Sequence, residues 1–226
     1  METKRFKVFV VDDHPSIAEL LRILLGWQSD LEFCGQATSA REALKCTALV
    51  KPDIILLDLC LPDRHGLELI QDLDATDTEA KILVLSGYDE EFFAERALSA
   101  GARGYVMKSQ PSDVWLKAMR LVATGSIYLS ATMTSRLQRS LSRHRTGICV
   151  KRLERLSDRE LEVLQLLSQG KSIGQISALL SLSARTVETY QTRLRVKLGV
   201  TTTHDLLRCA ICWRVTNAMP TKCAAA

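Results

Sequence analysis

Short, continuously apolar and β-rich segments recur along the first half of the chain, and they restrict its possible folds more than any other feature. They are residues 7–11, 54–57, 82–85 and 105–107, with residues 31–34 as a weaker fifth. Apolar runs of this length are typical of strands buried on both faces of a parallel sheet. Segments with helical periodicity lie between them, at residues 15–26, 39–49, 66–74, 89–100 and 112–124. The alternation predicts a doubly wound α/β domain with a five-stranded parallel sheet over residues 1–125.

The net charge of +4 is divided unevenly along the chain. Residues 1–125 contain 14 Lys and Arg against 20 Asp and Glu, a net charge of −6, whereas residues 126–226 contain 16 against 6, a net charge of +10. Residues 126–152 are rich in Ser, Thr and Arg and contain no Asp or Glu, so we interpret them as a linker, with some helix near residues 130–142. The basic half is expected to bind an anionic partner.

Cysteine content and hydropathy exclude two classes of protein. Seven cysteines, an odd number spread from Cys34 to Cys223, argue against a disulfide framework and favour a reducing compartment. Asp12 and Asp13 come too early for a secretory apolar stretch, and no apolar run approaches the ~20 residues that span a bilayer. We therefore expect a cytoplasmic protein without a membrane partner.

The pattern becomes helical throughout from Leu153 onward. Ser followed three residues later by Glu or Gln is the spacing of a helix-capping box, and glycines mark helix ends. The candidate caps are Ser157 with Glu160, Ser172 with Gln175, and Ser183, and a fourth helix is expected over residues 203–213. Short helices in a basic module predict a small all-α helix-turn-helix domain over residues 153–217, with a tail at residues 218–226.

Side chains with matched chemistry follow four of the predicted strands. Asp12 and Asp13 follow the first, Asp58 the third, Ser86 ends the fourth and Lys108 follows the fifth. Ligands bind at the carboxyl ends of the strands in such sheets, so these groups should share one pocket. Adjacent carboxylates resist ionisation unless a cation joins them, and oxygen ligands suit Mg²⁺. An ionised Asp beside Mg²⁺ and a Lys can attack a phosphoryl group.

The same residues lie within longer motifs that carry a family resemblance. In the first half the motifs are Val11-Asp12-Asp13-His14-Pro15, Leu57-Asp58-Leu59-Cys60-Leu61-Pro62-Asp63, Leu85-Ser86-Gly87 and Gly104-Tyr105-Val106-Met107-Lys108. In the second half they are Leu156-Ser157-Asp158-Arg159-Glu160, Gly170-Lys171-Ser172, Thr186-Val187-Glu188-Thr189-Tyr190 and Lys197-Leu198-Gly199-Val200. The first set resembles a flavodoxin-like two-component receiver domain and the second a LuxR-type helix-turn-helix. Together they resemble the NarL/FixJ family of response regulators.

The resemblance implies roles for the residues at the strand ends. Asp58 would accept a phosphoryl group from a sensor histidine kinase, and Ser86 and Lys108 would contact its oxygens. Ser86 and Tyr105 would act as switch residues. Mg²⁺ would be held by the side chains of Asp12 (through water), Asp13 and Asp58 and by the backbone carbonyl of Cys60. The protein would not be an enzyme beyond its own phosphorylation and dephosphorylation.

The resemblance also implies that the basic module binds double-stranded operator DNA and regulates transcription. Arg, Lys and backbone amides would hold phosphates, while exposed side chains of the recognition helix would contact base edges. The predicted DNA contacts are Lys171, Arg185, Thr186, Glu188, Thr189, Thr192, Arg193 and Lys197. Val187, Tyr190 and Leu194 are expected to point inward. Pairing of two phosphorylated chains is expected, and RNA polymerase is a candidate further partner.

Other interpretations of single features remain open at this point. An aspartyl phosphatase also needs Asp and Mg²⁺, but such enzymes usually carry a second Asp where this chain has Cys60. A regulator that is not phosphorylated and works by protein contact is the other alternative. His14 favours a surface or packing role over metal ligation, because Mg²⁺ prefers oxygen. Cys209 and Cys212 have zinc or redox spacing without a second ligand pair, which favours buried thiols.

Overall fold

Five parallel strands form one sheet in the first half of the chain, in the order β2-β1-β3-β4-β5. The strands are β1 (Phe6–Val11), β2 (Leu31–Ala37), β3 (Ile54–Leu57), β4 (Lys81–Ser86) and β5 (Gly104–Met107). The structure is a computed structural model that describes residues 5–76, 78–135, 155–203, 205–207 and 209–210. Contacts divide the chain between Ser142 and Arg143 into two compact units, and each unit is described by itself.

Helices connect the strands and cover the sheet. They are α1 (Pro15–Gly26), α2 (Ala40–Val50), α3 (Gly66–Ala75), α4 (Glu90–Ser99) and α5 (Ser112–Ala123). Leu21 and Leu25 of α1 and Trp115 and Met119 of α5 share one buried cluster with alternate strand residues. Because strand side chains alternate between faces, the strand residues outside that cluster face the other helices. The predicted doubly wound α/β fold is confirmed.

Strand β2 is longer than the sequence pattern predicted. Its pairing with β1 continues to Ala37, and the register shifts between Val8 and Phe9. Residues 33–36 are only half-buried or exposed, because β2 is an edge strand. An edge strand lies at the margin of the sheet and pairs on one side only, so its residues are less buried and need not be continuously apolar. The end of β2 therefore could not be predicted from hydropathy alone.

The first residues of the expected linker belong to the first compact unit. The Tyr128 backbone N–H donates to the carbonyl of Arg103 at 2.9 Å, and Met133 is 1% exposed. Residues 131–135 are helical, in agreement with the helix expected near residues 130–142. The remainder of that helix, and of the expected linker, lies outside the described residues.

The second unit contains three complete helices in its described part: α6 (Asp158–Ser168), α7 (Ile173–Leu180) and α8 (Ala184–Leu198). Both predicted capping boxes are present, at the starts of α6 and α7. The Ser183 side chain accepts from the Thr186 N–H at the start of α8, and Gly199 ends α8 with a φ of 69°. Residues 203, 205–207 and 209–210 are helical, while the rest of the predicted fourth helix and the tail lie outside the description.

Membrane-spanning helices and disulfides can be assessed for the described residues. No helix within them is long and apolar enough to cross a membrane. No disulfide joins the cysteines that the structure describes, namely Cys34, Cys46, Cys60 and Cys209.

Candidate functional site

Carboxylates from two strand ends meet in one pocket at the carboxyl edge of the sheet. The ligand atoms of Asp12, Asp13, His14 and Asp58 all lie within 4.8 Å of one another. Asp12 is 5% and Asp58 is 3% exposed, while Asp13 is open to solvent. The topology places β1 and β3 side by side, so the residues that follow them are adjacent. The predicted juxtaposition of the three aspartates is therefore observed.

Lys108 completes the pocket from the end of β5. Its Nζ lies 2.6 Å from Asp12 Oδ2 and 2.7 Å from Asp58 Oδ2. The Lys108 backbone N–H donates to the Ser86 carbonyl at 2.7 Å, which holds the ends of β4 and β5 together. Burial alone would lower the pKa of Lys108, but the two carboxylates raise it above its usual value. The site therefore contains a fixed cation beside the predicted phosphoacceptor.

The two oxygens of the buried Asp58 carboxylate have different surroundings. Burial raises its pKa, the Lys108 ammonium opposes this, and the nearby Asp12 charge adds to the rise. Asp58 Oδ1 is buried, and among the described residues no group donates a hydrogen bond of ordinary geometry to it. The backbone N–H of Cys60 is nonetheless close enough to the carboxylate to lower its pKa. An acidic group of this kind is stabilised in its ionised form by a nearby cation. The carboxylate oxygens of Asp12, Asp13 and Asp58 are ligands of the kind that Mg²⁺ prefers, so these residues fit this ion.

Ser86 and Tyr105 are linked through the loop that follows β4. Ser86 is fully buried, and its Oγ accepts from the Tyr88 N–H at 3.3 Å. The Tyr105 ring is 1% exposed, and its hydroxyl donates to the Tyr88 carbonyl at 2.9 Å. Burial raises the pKa of Tyr105 well above its usual value, so the phenol is neutral. The two predicted switch residues therefore contact the same intermediate residue.

A groove on the surface of α8 contains half of the predicted DNA contacts. Its lining residues are Ser183, Arg185, Thr186, Thr189, Tyr190 and Arg193. Tyr190, which the sequence placed inward, is only half-buried, and the Arg193 guanidinium lies 5.9 Å from the centre of its ring. Val187 and Leu194 are fully buried, as predicted. Helical periodicity did not predict that Tyr190 lines the groove, because a large aromatic ring can pack at the edge of the core and still reach the surface.

Comparison with known proteins identifies both units. Residues 8–120 match the family described as "Response regulator receiver domain", and residues 154–210 match "Bacterial regulatory proteins, luxR family". Over 209 residues the chain is 32% identical to the "Oxygen regulatory protein NreC" of Staphylococcus aureus (strain JH9), covering 91% of this chain and 96% of that protein. The chain is a NarL/FixJ-family response regulator. Such a protein combines a receiver with a LuxR-type DNA-binding domain and acts on DNA.

Two solved structures resemble this response regulator in fold. One is a LuxR-family two-component response regulator from Aurantimonas sp. SI85-9A1, with a TM-score of 0.57 and 28% identity, covering 62% of this chain and all of that chain. The other is RcsB of Salmonella enterica serovar Typhimurium bound to promoter rprA in the presence of phosphomimetic BeF3-. It has a TM-score of 0.60 and 22% identity, and the match covers 92% of this chain and 98% of that chain.

Sequence reasoning gave no functional role to His14, which lies in the pocket, or to Asp63, which holds the loop after β3. His14 Nδ1 lies 3.0 Å from Asp12 Oδ1 and 2.9 Å from Asp13 Oδ1, with its side chain 58% exposed. The position of His14 directly after the two aspartates is the sequence feature that indicates its place in the pocket. Asp63 anchors the loop after β3, because its carboxylate accepts the backbone N–H groups of residues 40, 41 and 64 at 2.9, 2.9 and 3.1 Å. No local pattern indicates those distant partners.

The other four predicted DNA contacts in the regulator lie outside the groove lining. Glu188 and Thr192 are exposed on α8, and the Thr192 hydroxyl donates to the Glu188 carbonyl at 3.0 Å. Lys171 lies in the turn between α6 and α7 and is half-buried. Lys197 Nζ lies 2.6 Å from Glu160 Oε2 and donates to the carbonyl of Arg155 at 3.1 Å. Lys197 therefore connects α8 to the start of α6.

Proposed function

We propose that Asp58 is the phosphoacceptor of this response regulator and that its phosphorylation controls binding of the second unit to operator DNA. The observation that carries the proposal is the environment of the Asp58 carboxylate. That group is buried, its Oδ2 lies 2.7 Å from Lys108 Nζ, and the same ammonium lies 2.6 Å from Asp12 Oδ2. A buried carboxylate that shares a lysine with a second carboxylate has the perturbed electrostatics typical of a functional site.

Four residues are proposed to hold Mg²⁺: Asp12 through water, Asp13, Asp58, and Cys60 by its backbone carbonyl. Receiver domains typically bind Mg²⁺ in an acidic pocket, and this pocket provides the carboxylates for it. When bound, Mg²⁺ would offset the charge of the phosphoryl oxygens. Cys60 carries a half-buried thiol two residues after the acceptor, and we propose that this side chain affects the access of water to the acyl phosphate.

The proposed reaction is an in-line transfer from a phosphohistidine of a sensor histidine kinase. An Asp58 oxygen attacks phosphorus, the P–N bond breaks, and the kinase imidazole leaves with the bonding electron pair. The product is an acyl phosphate on Asp58, which water hydrolyses to inorganic phosphate. Lys108 is positioned to bind a phosphoryl oxygen, and the buried Ser86 hydroxyl can donate to another. We propose that this reaction takes place in the cytoplasm.

The DNA contacts are proposed to centre on the groove of α8. Arg185 and Arg193 supply cationic donors for phosphates or guanine edges, and Thr186 and Thr189 supply hydroxyls beside them. Glu188, Thr192 and Lys171 are proposed to extend this surface, whereas Lys197 is proposed to connect α8 to the start of α6 through Glu160. Phosphorylation is proposed to favour pairing of two chains, so that two recognition helices occupy two half-sites. Pairing raises the effective concentration of the second module at the DNA.

The phosphorylation test is incubation of the full chain with acetyl phosphate and Mg²⁺, followed by intact mass measurement. One phosphoryl group is expected in the wild type and none in Asp58→Asn. Asp72→Asn is the matched control, because Asp72 is a half-exposed carboxylate that pairs with Arg64 on the surface. Unchanged modification of Asp58→Asn would contradict the assignment.

The DNA test is titration of operator DNA with the phosphorylated and unphosphorylated full chain at several salt concentrations. Phosphorylation should tighten binding, and affinity should fall steeply as salt rises, because Lys and Arg displace counterions from the DNA. Equal affinity of the two forms would refute control by the receiver. An Arg193→Ala variant should bind more weakly with a shallower salt dependence.

A further inference from the structure

A segment after the receiver, residues 126–135, is attached to β5 in a way that the proposed function does not use. We call it the strap. The Tyr128 N–H donates to the Arg103 carbonyl at 2.9 Å, and the Tyr128 carbonyl accepts from the Tyr105 N–H at 3.4 Å. The strap therefore runs parallel to β5 beside Gly104. A Cβ at Gly104 would lie 2.9 Å from the Tyr128 carbonyl oxygen, so this close approach requires glycine.

The strap is also bonded to the start of α4. The Ser130 hydroxyl donates to Glu90 Oε1 at 2.6 Å and accepts from the Met133 N–H at 3.1 Å. The same hydroxyl thus caps helical residues 131–135 and binds a carboxylate of the receiver. Burial raises the pKa of Glu90, and the bond from Ser130 opposes this rise. The Ser130–Glu90 contact is therefore a short, half-buried hydrogen bond between the strap and α4.

One five-residue segment connects this contact to the phosphorylation pocket. Residues 86–90 begin with Ser86, which is proposed to bind a phosphoryl oxygen, and end with Glu90, which holds the strap. Between them Tyr88 donates its N–H to Ser86 Oγ at 3.3 Å and accepts the Tyr105 hydroxyl at 2.9 Å. A displacement of Ser86 would therefore be passed through backbone bonds to Glu90, four residues later.

We propose that the Ser130–Glu90 hydrogen bond transmits phosphorylation of Asp58 to the chain beyond the receiver. The inference depends on the proposed function. When the Ser86 hydroxyl turns to a phosphoryl oxygen, residues 86–90 shift toward Asp58 and Glu90 moves with them. The strap stays bonded to β5 through Tyr128, so the Ser130–Glu90 bond is weakened. Helical residues 131–135 then open more often, which shifts the population of conformations available to the following chain.

The test is amide hydrogen exchange of the full chain with and without acetyl phosphate and Mg²⁺, with phosphorylation confirmed by intact mass. The reporters are the N–H groups of Met133 and Thr134, which donate to the Ser130 hydroxyl and carbonyl. We expect about tenfold faster exchange after phosphorylation, which is the scale of losing one charge-assisted hydrogen bond. Glu90→Ala should show this faster exchange without the phosphodonor and respond little to its addition.

Two variants keep the test independent of misfolding. Glu90→Gln retains an acceptor oxygen without the charge and should exchange at a rate between those of the wild type and Glu90→Ala. Glu91→Ala removes the adjacent carboxylate of the same helical turn and should leave the reporters unchanged. Unaltered reporter exchange in a fully phosphorylated wild type, or in Glu90→Ala, would overturn the inference while leaving the proposed function intact. Absence of the phosphoryl adduct would instead overturn the proposed function, and this inference with it.

Discussion

Replacing Lys197 by Met separates two roles that a basic residue of α8 can have. The sequence assigns Lys197 to DNA, but the structure bonds its ammonium to Glu160 at 2.6 Å and to the Arg155 carbonyl at 3.1 Å. Glu160 is 2% exposed, so Lys197→Met leaves a buried carboxylate without its cation. A hydrogen bond to a charged group contributes about 1.5–3 kcal/mol. Because the Lys197 side chain is 37% exposed, we take about 2 kcal/mol as the expected loss of unfolding free energy.

The assay is thermal and urea unfolding of the full chain, with operator titration in parallel. A loss of ~2 kcal/mol should lower the melting temperature of a unit of this size by ~8–15 °C. Arg193→Met on the exposed side of α8 is the matched control, and its unfolding free energy should change by about 0.5 kcal/mol or less. An unchanged melting temperature for Lys197→Met together with weakened operator binding would refute the structural role and restore the DNA contact.

The pH dependence of the same pair gives a second measurement. Burial alone would raise the pKa of Glu160, but the bonds from Lys197 and from Ser157 lower it below its usual value. A carboxyl whose folded-state pKa is lowered stabilises the fold above its unfolded pKa, and this contribution is lost as the pH falls through the folded pKa. The difference in unfolding free energy between wild type and Lys197→Met should therefore be full at neutral pH and shrink in acid. A constant difference across that range would contradict the pairing.

Three further changes test the receiver. Gly66→Ala would place a methyl group 2.6 Å from Leu59 Cα and 2.7 Å from the Asp58 carbonyl, so we expect ~1–3 kcal/mol lower stability and slower phosphorylation by acetyl phosphate. Asp63→Ala should cost ~1–2 kcal/mol at neutral pH, measured by urea unfolding, and less in acid, because backbone N–H groups lower the Asp63 pKa against the effect of burial. Lys108→Ala should retain Mg²⁺ binding by calorimetry but lose the increase in operator affinity on phosphorylation, and full activation would exclude Lys108 from the switch.

The parallel sheet could be predicted because its central strands are buried on both faces and are therefore continuously apolar. The pocket followed from topology, since residues after parallel strands meet at one edge whatever their separation in sequence. The extent of β2 could not be predicted in the same way, because its residues 33–36 are partly exposed. The partners of Asp63 depend on tertiary placement, because its bonds to α2 join residues 22 and 23 positions apart.

The start of α6 shows where local pattern and tertiary structure diverge. The spacing of Ser157 and Glu160 predicted a capping box, and the Ser157 N–H does donate to Glu160 Oε2 at 2.7 Å. The same oxygen is bonded to Lys197, which lies 37 residues later on another helix. Helical periodicity shows that Lys197 is outside the core face of α8, but it does not show whether a carboxylate of another helix lies within its reach. A basic residue on a recognition helix therefore has two possible anionic partners, and only the packing of α6 against α8 distinguishes them.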